Sequence, residues 1–321
     1  MIPLEVVPLD EIVAARKRIG GAAIRTPLIR LNVDAAAHIY LKLENLQPIG
    51  SFKLRGAGNA LRKMDRAALA RGVYTASAGN MAQGLAWNAQ ELGIPCHVVV
   101  PDHAPKTKLD AIERLGAKVI KVPFDEWWQV IVTHEFPGLH AKFVHPVSNP
   151  DVIAGNGTIG LEILDDLPDV DTVLVPYGGG GLSCGIASAL RATKPDVKVY
   201  ACEVDTAAPL AASFEHDRPT AVDREQTFID GIGGRSVLEE MWPLARELLA
   251  GSLVTTVADI AAAIRTLVER NHVVAEGAGA APVAVALSGA AGADKVVSVV
   301  SGGNIDVAKL VTILRGGIPT R

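Results

Sequence analysis

Aromatic residues are scarce in this chain of 321 residues, at 4%. Its interior must therefore be built from Ala, Val, Leu and Ile rather than from rings. Cysteine is scarcer still: Cys96, Cys184 and Cys202 stand alone and far apart. An odd, sparse set excludes a disulfide framework, and the lack of any CxxC pair removes the usual zinc signature. No charge sign dominates, with 31 basic against 35 acidic residues and a net charge of −4. That balance gives a nucleic acid or an anionic membrane nothing to hold. No apolar run reaches the length that crosses a bilayer, and no basic-then-apolar start marks a secretory signal. The expectation is a cytoplasmic protein that handles small molecules and has neither nucleic-acid nor membrane partners.

What is present is ordinary globular material, 49% apolar and 21% charged. Short β-branched runs at residues 97–100, 118–122, 172–175, 197–201 and 296–300 read as buried parallel strands. Ala- and Leu-rich stretches with helical spacing lie between them, at 82–92, 106–115, 182–192 and 260–271. This alternation predicts an α/β fold whose parallel sheets are covered on both faces.

The chemistry gathers in a few motifs. In Gly50-Ser51-Phe52-Lys53-Leu54-Arg55-Gly56-Ala57 a lysine stands between glycines and a ring. It is either a helix-start lysine paired with a carboxylate or an amine in a confined site, where burial lowers its pKa and makes it nucleophilic. After the strand-like 173–175, Gly178-Gly179-Gly180-Gly181-Leu182-Ser183 opens an apolar helix. Four glycines at a strand–helix junction let backbone N–H groups converge on an anion such as phosphate. The spacing is neither that of a P-loop nor G-x-G-x-x-G. Ser77-Ala78-Gly79-Asn80-Met81 follows another strand and reads as a helix cap, a carboxylate site or both. Ser301-Gly302-Gly303-Asn304 ends an apolar strand, where α/β sheets bind ligands. Glu276 is a lone acid in a run of small residues, either buried with a partner or turned towards a polar site.

Together these motifs resemble the fold-type II pyridoxal phosphate (PLP) enzymes, and within them the serine/threonine dehydratase and serine racemase family. The resemblance runs from about residue 24 to 306. It implies a two-domain, tryptophan-synthase-β-like architecture, each domain a mainly parallel sheet flanked by helices. Residues 1–65 and 148–321 would form the large PLP-binding domain and 66–147 a small inserted one. By this resemblance Lys53 is the catalytic, Schiff-base lysine, Phe52 packs on the cofactor ring and Asn80 bonds the ring hydroxyl. Gly178, Gly179, Gly180, Gly181 and Leu182 hold the phosphate, and Ser301 faces the pyridine nitrogen. The loop carrying Asp230 and Gly231 covers the cofactor, with Glu276 nearby. Ser77, Ala78, Gly79, Asn80 and Met81 form the substrate-binding segment. The implied activity is ammonia loss from a β-hydroxy-α-amino acid, giving a 2-oxo acid, in a homodimer. Other activities of the fold, racemisation or β-replacement, stay open, as does a non-catalytic ligand-binding relative.

The sequence also departs from that pattern. Ala78 stands where racemases carry a second acid/base serine, and Met81 where histidine is usual. The family's cation site pairs a Glu with an Asp; Glu203 fits the first, Pro209 occupies the second, and no metal is expected. The sequence runs only a short way past Asn304, so no C-terminal regulatory domain is expected. Two of the four tryptophans, Trp127 and Trp128, adjoin the run at 118–122. They either cover hydrophobic surface or, with Met81, wall a pocket for a substrate bulkier than serine, such as phenylserine.

Overall fold

A computed structural model describes residues 4–320. Ten strands occur in chain order: β1 (Leu28–Arg30), β2 (His38–Lys42), β3 (Val73–Ala76), β4 (Cys96–Pro101), β5 (Lys118–Val122), β6 (Lys142–Phe143), β7 (Thr172–Pro176), β8 (Lys198–Val204), β9 (Gly251–Thr255) and β10 (Lys295–Val299). They form two sheets, one ordered β1-β2-β10-β7-β8-β9 and the other β5-β4-β3-β6. Every pairing is parallel except that of β1 with β2. All five residues of β7, in the middle of the larger sheet, are buried, as a strand with helices on both faces requires.

Aliphatic side chains do fill the interior. One apolar cluster lies around Val173, Val175 and Ile186, a second around Leu174, Ile264 and Val296. Val173 and Leu174 are consecutive on one strand, so they point to opposite faces and the clusters cover the two sides of the larger sheet. The smaller sheet is packed the same way, around Val98 and Val100 on one side and Tyr74 and Val99 on the other.

The helix Pro150–Asp166 buries Gly155, Gly157 and Gly160 among its apolar residues. Its start is conventional: the Asn149 side chain accepts from the N–H groups of Asp151 and Val152, and Pro150 occupies the first turn. The glycines mark close helix approach. A Cβ on Gly155 would lie 2.6 Å from the Arg55 carbonyl, and one on Gly157 2.8 Å from that of Gly185.

The helix Lys53–Lys63 runs through this core, and Arg55 on it is 1% exposed. Its guanidinium meets Glu44 at 2.8 Å and Glu162 at 2.7 Å, and Lys42 Nζ lies 2.6 Å from Glu162. The Thr26 hydroxyl donates to Glu44, and Lys42 also donates to the Thr26 carbonyl. Two cations and two carboxylates thus form a closed buried set. Burial raises the Glu44 carboxyl, but the Arg55 charge and hydrogen bonds outweigh it and hold the group below its usual range.

The chain ends of β3, β7 and β10 point to one cleft between the sheets. Each is followed, at most one residue later, by one of the small-residue motifs: residues 77–80, 178–181 and 301–304.

Candidate active site

The cleft holds a cavity of about 350 Å³. Lys53, the first residue of its helix, lies at its floor. The helix start is tied to the end of β10, since the Phe52 N–H donates to the Ser301 carbonyl at 3.0 Å and Ser51 bridges Gly302. Lys53 Nζ donates to the Pro146 carbonyl at 2.9 Å and lies 5.1 Å from the Phe52 ring centre. Burial lowers its amine to about 8, against the opposing pull of Glu276. The helix-start reading, with a carboxylate as direct partner, is therefore replaced by a confined amine whose hydrogen-bond acceptor is a neutral carbonyl.

The four glycines are enforced by their neighbours. A Cβ on Gly178 would strike the Gly231 carbonyl oxygen, and one on Gly179 would lie 2.6 Å from Val147 Cγ2. Gly180 has φ +97°, in the left-handed region that suits glycine, and it precedes the helix Gly181–Thr193 without any side-chain cap. The first N–H groups of that helix have no intrahelical acceptor. Together they make a backbone cradle at the positive end of a helix dipole, shaped for a phosphate.

The segment after β3 is also left uncapped. Gly79 precedes the helix Asn80–Leu92, and no side chain accepts from that helix's first turn. Ser77 Oγ instead accepts from the Gly79 N–H at 3.2 Å. Capping thus gives way, and the N–H donors stay open to a carboxylate. Ser77, Gly79, Asn80 and Met81 line the cavity, whereas Ala78 packs against the small-sheet core.

Three side chains form a chain across one wall. Asn304 Nδ2 donates to Asn80 Oδ1 at 2.9 Å, and Asn80 Nδ2 to Glu276 Oε1 at 2.8 Å. This fixes the Asn80 amide and leaves one Nδ2 hydrogen for a ligand. Burial pushes Glu276 up to about 8; the Asn80 hydrogen bond opposes the shift and Asp230 adds to it. Ser301, 2% exposed, and Leu182 complete the lining beside Gly231. At the mouth Lys108 pairs with Asp230 at 2.9 Å.

The geometry answers two points that the sequence leaves open. Neither Trp127 nor Trp128 lines the cavity; their rings lie tilted to each other with centres 6.2 Å apart, with Phe124 5.5 Å from Trp127, and Trp128 is 43% exposed. The carboxylate of Glu203 is fully engaged. It accepts from the N–H groups of Leu210 and Ala211 and from the Ser252 hydroxyl, so it caps the helix Pro209–His216. Pro146, Val147, Lys108 and Gln83 line the site without having been singled out in the sequence. An X-Pro dipeptide after a two-residue strand is too brief a signal to read. Lys108 lies on a helix whose exposed lysines look alike.

The sequence profile of the family described as "Pyridoxal-phosphate dependent enzyme" matches residues 19–302. The chain is 40% identical to the L-threonine ammonia-lyase of Thermotoga maritima, over 97% of this chain and 79% of that one. It is 38% identical to the catabolic L-threonine dehydratase of Escherichia coli, over 96% of each. Its structure superposes on maize serine racemase with a TM-score of 0.89 at 30% identity, covering 97% of this chain and 98% of the other. It superposes on a threonine deaminase of Solanum lycopersicum with a TM-score of 0.85 at 30% identity, covering 98% and 96%. A lysine amine lowered by burial, a phosphate-shaped glycine cradle and a flanking ring suit the same cofactor, and the chain belongs to the pyridoxal-phosphate-dependent enzymes.

Proposed function

We propose that the protein is an ammonia-lyase that converts threonine or serine to a 2-oxo acid and ammonia. The observation that carries this reading is the Lys53 amine, held near pKa 8 at the cavity floor beneath two uncapped helix starts. The relatives named for threonine ammonia loss share the fold along almost its whole length.

The cofactor supplies the electron sink that lets bonds at the substrate α-carbon break. The residues of the chain do the rest. The N–H groups of Asn80 and Met81, which no side chain caps, would take the substrate carboxylate. Lys53, with a hydrogen donated to Pro146 and a pKa near the working pH, is suited to accept the α-proton. Phe52 and Asn80 would bound the cofactor ring, Gly178, Gly179, Gly180, Gly181 and Leu182 would hold its phosphate, and Gly231 would lie beside it, all of them residues that line the cavity. Ser301 offers a neutral hydroxyl rather than a carboxylate, which favours prompt elimination over longer-lived carbanion chemistry.

No indole lines the cavity, so small side chains are assigned and phenylserine is the substrate that tests the limit. Residues 66–147 are taken as a separate small domain, because all four strands of the smaller sheet fall within it. A homodimer suits the apolar face left by Val307, Val311 and Leu314. Three buried free cysteines suit a reducing cytoplasm, and no described helix is long and apolar enough to cross a membrane. The deciding measurement is 2-oxo acid release from L-threonine, L-serine and phenylserine by the parent and by Lys53→Ala. Turnover of the first two that vanishes in the variant is the expected result; unchanged turnover in Lys53→Ala would overturn the reading.

A further inference from the structure

His145 lies between β6 and the helix Pro150–Asp166, outside the cavity lining, and is 3% exposed. Its Nδ1 accepts from the N–H of Val147 at 3.1 Å and of Ser148 at 2.7 Å, and the Ser148 hydroxyl lies 2.8 Å away. A backbone N–H can only donate, so Nδ1 carries the lone pair and the neutral ring bears its hydrogen on Nε2. Burial, reinforced by His134 and by the Lys53 charge, holds the ring neutral down to about 3.

His134, His145 and Glu240 offer ligand atoms within 4.8 Å of one another, with Nε2 of both rings buried. The tautomer rules out reading them as a metal centre. A cation on His145 Nε2 would force the hydrogen onto Nδ1, against two backbone donors. The ring has another use. The Val147 N–H that it holds and the Pro146 carbonyl that holds Lys53 belong to one peptide group. That peptide is trans, like every other among the described residues. In a planar trans peptide the N–H and C=O point in opposite directions. His145 therefore fixes one edge of the plate whose other edge receives the Lys53 amine. Turning that plate would swing the carbonyl away from Nζ. It would also shift Val147, which packs where a Cβ of Gly179 would sit and so touches the phosphate cradle.

We propose that His145 is a positioning residue for the catalytic lysine: its Nδ1 pins the Pro146–Val147 peptide so that the Pro146 carbonyl aims the Lys53 amine into the cleft. This rests on the reading of Lys53 given above. One donated hydrogen leaves the amine lone pair directed away from Pro146, and that direction decides which proton it can reach.

The test is a set of holoenzyme variants at one position. Asn carries an acceptor placed to take the N–H two residues on, as in an Asx turn. His145→Asn should therefore keep the peptide pinned. His145→Leu fills the space without an acceptor, and His145→Gln places its acceptor one bond too far out. For Leu and Gln, kcat should fall about tenfold or more, the scale of a misplaced catalytic group, with KM for threonine little changed. The pH midpoint for acylation of the Lys53 amine in the cofactor-free form of each variant, which reports that nitrogen directly, should shift in both. Asn should restore both readouts towards the parent. Equal behaviour of Asn and Gln, or an unmoved midpoint in all variants that fold, would overturn the proposal, and the Gln variant decides it if Leu does not fold. Lys53→Ala run in parallel separates the two levels: a variant that keeps activity sinks the lysine reading itself, whereas failure of the His145 series alone leaves that reading standing.

Discussion

Lys53 and Arg55 are two residues apart on one helix, and both carry a cation into the interior, yet their surroundings are opposite. Arg55 meets two carboxylates and lies in a set of charges that closes on itself. Lys53 meets one neutral carbonyl, and its nearest acid, Glu276, is itself pushed up to about 8. A cation with matched partners stays charged and holds structure together. A cation denied them keeps a movable proton, which is what a base needs. The contrast makes the two positions separable by mutation.

The largest effect should come from the paired side. Arg55→Met leaves Glu44 and Glu162 buried with Lys42 as their one remaining cation. Removing one partner from such a set costs about 3–5 kcal/mol. The variant should be recovered unfolded or insoluble, checked by circular dichroism and soluble yield. Lys53→Ala should give the mirror image, an intact fold with melting at or above that of the parent and no activity. A folded, fully active Arg55→Met protein would erase the distinction.

The two acids sharpen the comparison through pH. Glu44 has its carboxyl lowered in the folded protein. Its contribution is present above the ordinary value of 4.5 and is lost as pH falls through the lowered one. Glu276 has its carboxyl raised to about 8, so its contribution is present below 4.5 and is lost as pH rises from 4.5 to 8. Glu276→Gln removes that loss. The cofactor-free variant should melt at the parent's temperature near pH 4.5 and increasingly above it towards pH 8, as followed by thermal melts across that range. A difference that is constant with pH would mean Glu276 is not the titrating acid.

How much of this was readable beforehand follows from sequence distance. Residues 77–80, 178–181 and 301–304 each sit where a strand ends, so strand pattern and binding residues are adjacent in the chain and were read together. The alternating strands and helices were read for the same reason, as in β5 and the helix Lys106–Arg114. The buried set joins residues 42, 44, 55 and 162, and no local pattern says which lysine or glutamate will find a distant partner. The Pro146–Val147 turn was hidden because its function lies in a backbone carbonyl, which every residue type possesses. For Trp127 and Trp128 a strand-end position leaves two readings open, and the surface-covering one holds, because the helix that carries them, Phe124–Thr133, packs on the face of the small sheet opposite Met81.

The smallest effect is expected where charges from the two regions meet in solvent. Lys108 and Asp230 pair across the cleft mouth with side chains 35% and 58% exposed. Such a pair is screened and contributes at most about 1 kcal/mol, so Lys108→Met should leave the melting temperature nearly unchanged. Its influence should appear in the site instead. Lys108 lowers the Glu276 carboxyl and Asp230 raises it. Without Lys108 the Asp230 charge acts unopposed, and the pH midpoint assigned to Glu276 should move up. Lys108→Met combined with Asp230→Asn removes both influences and should bring that midpoint back towards the parent. Added salt should shrink the differences between all three proteins, since exposed charges act through a screened medium. The measurement is the pH dependence of kcat/KM at low and high salt. Midpoints that coincide at low salt would mean that the mouth charges do not reach Glu276.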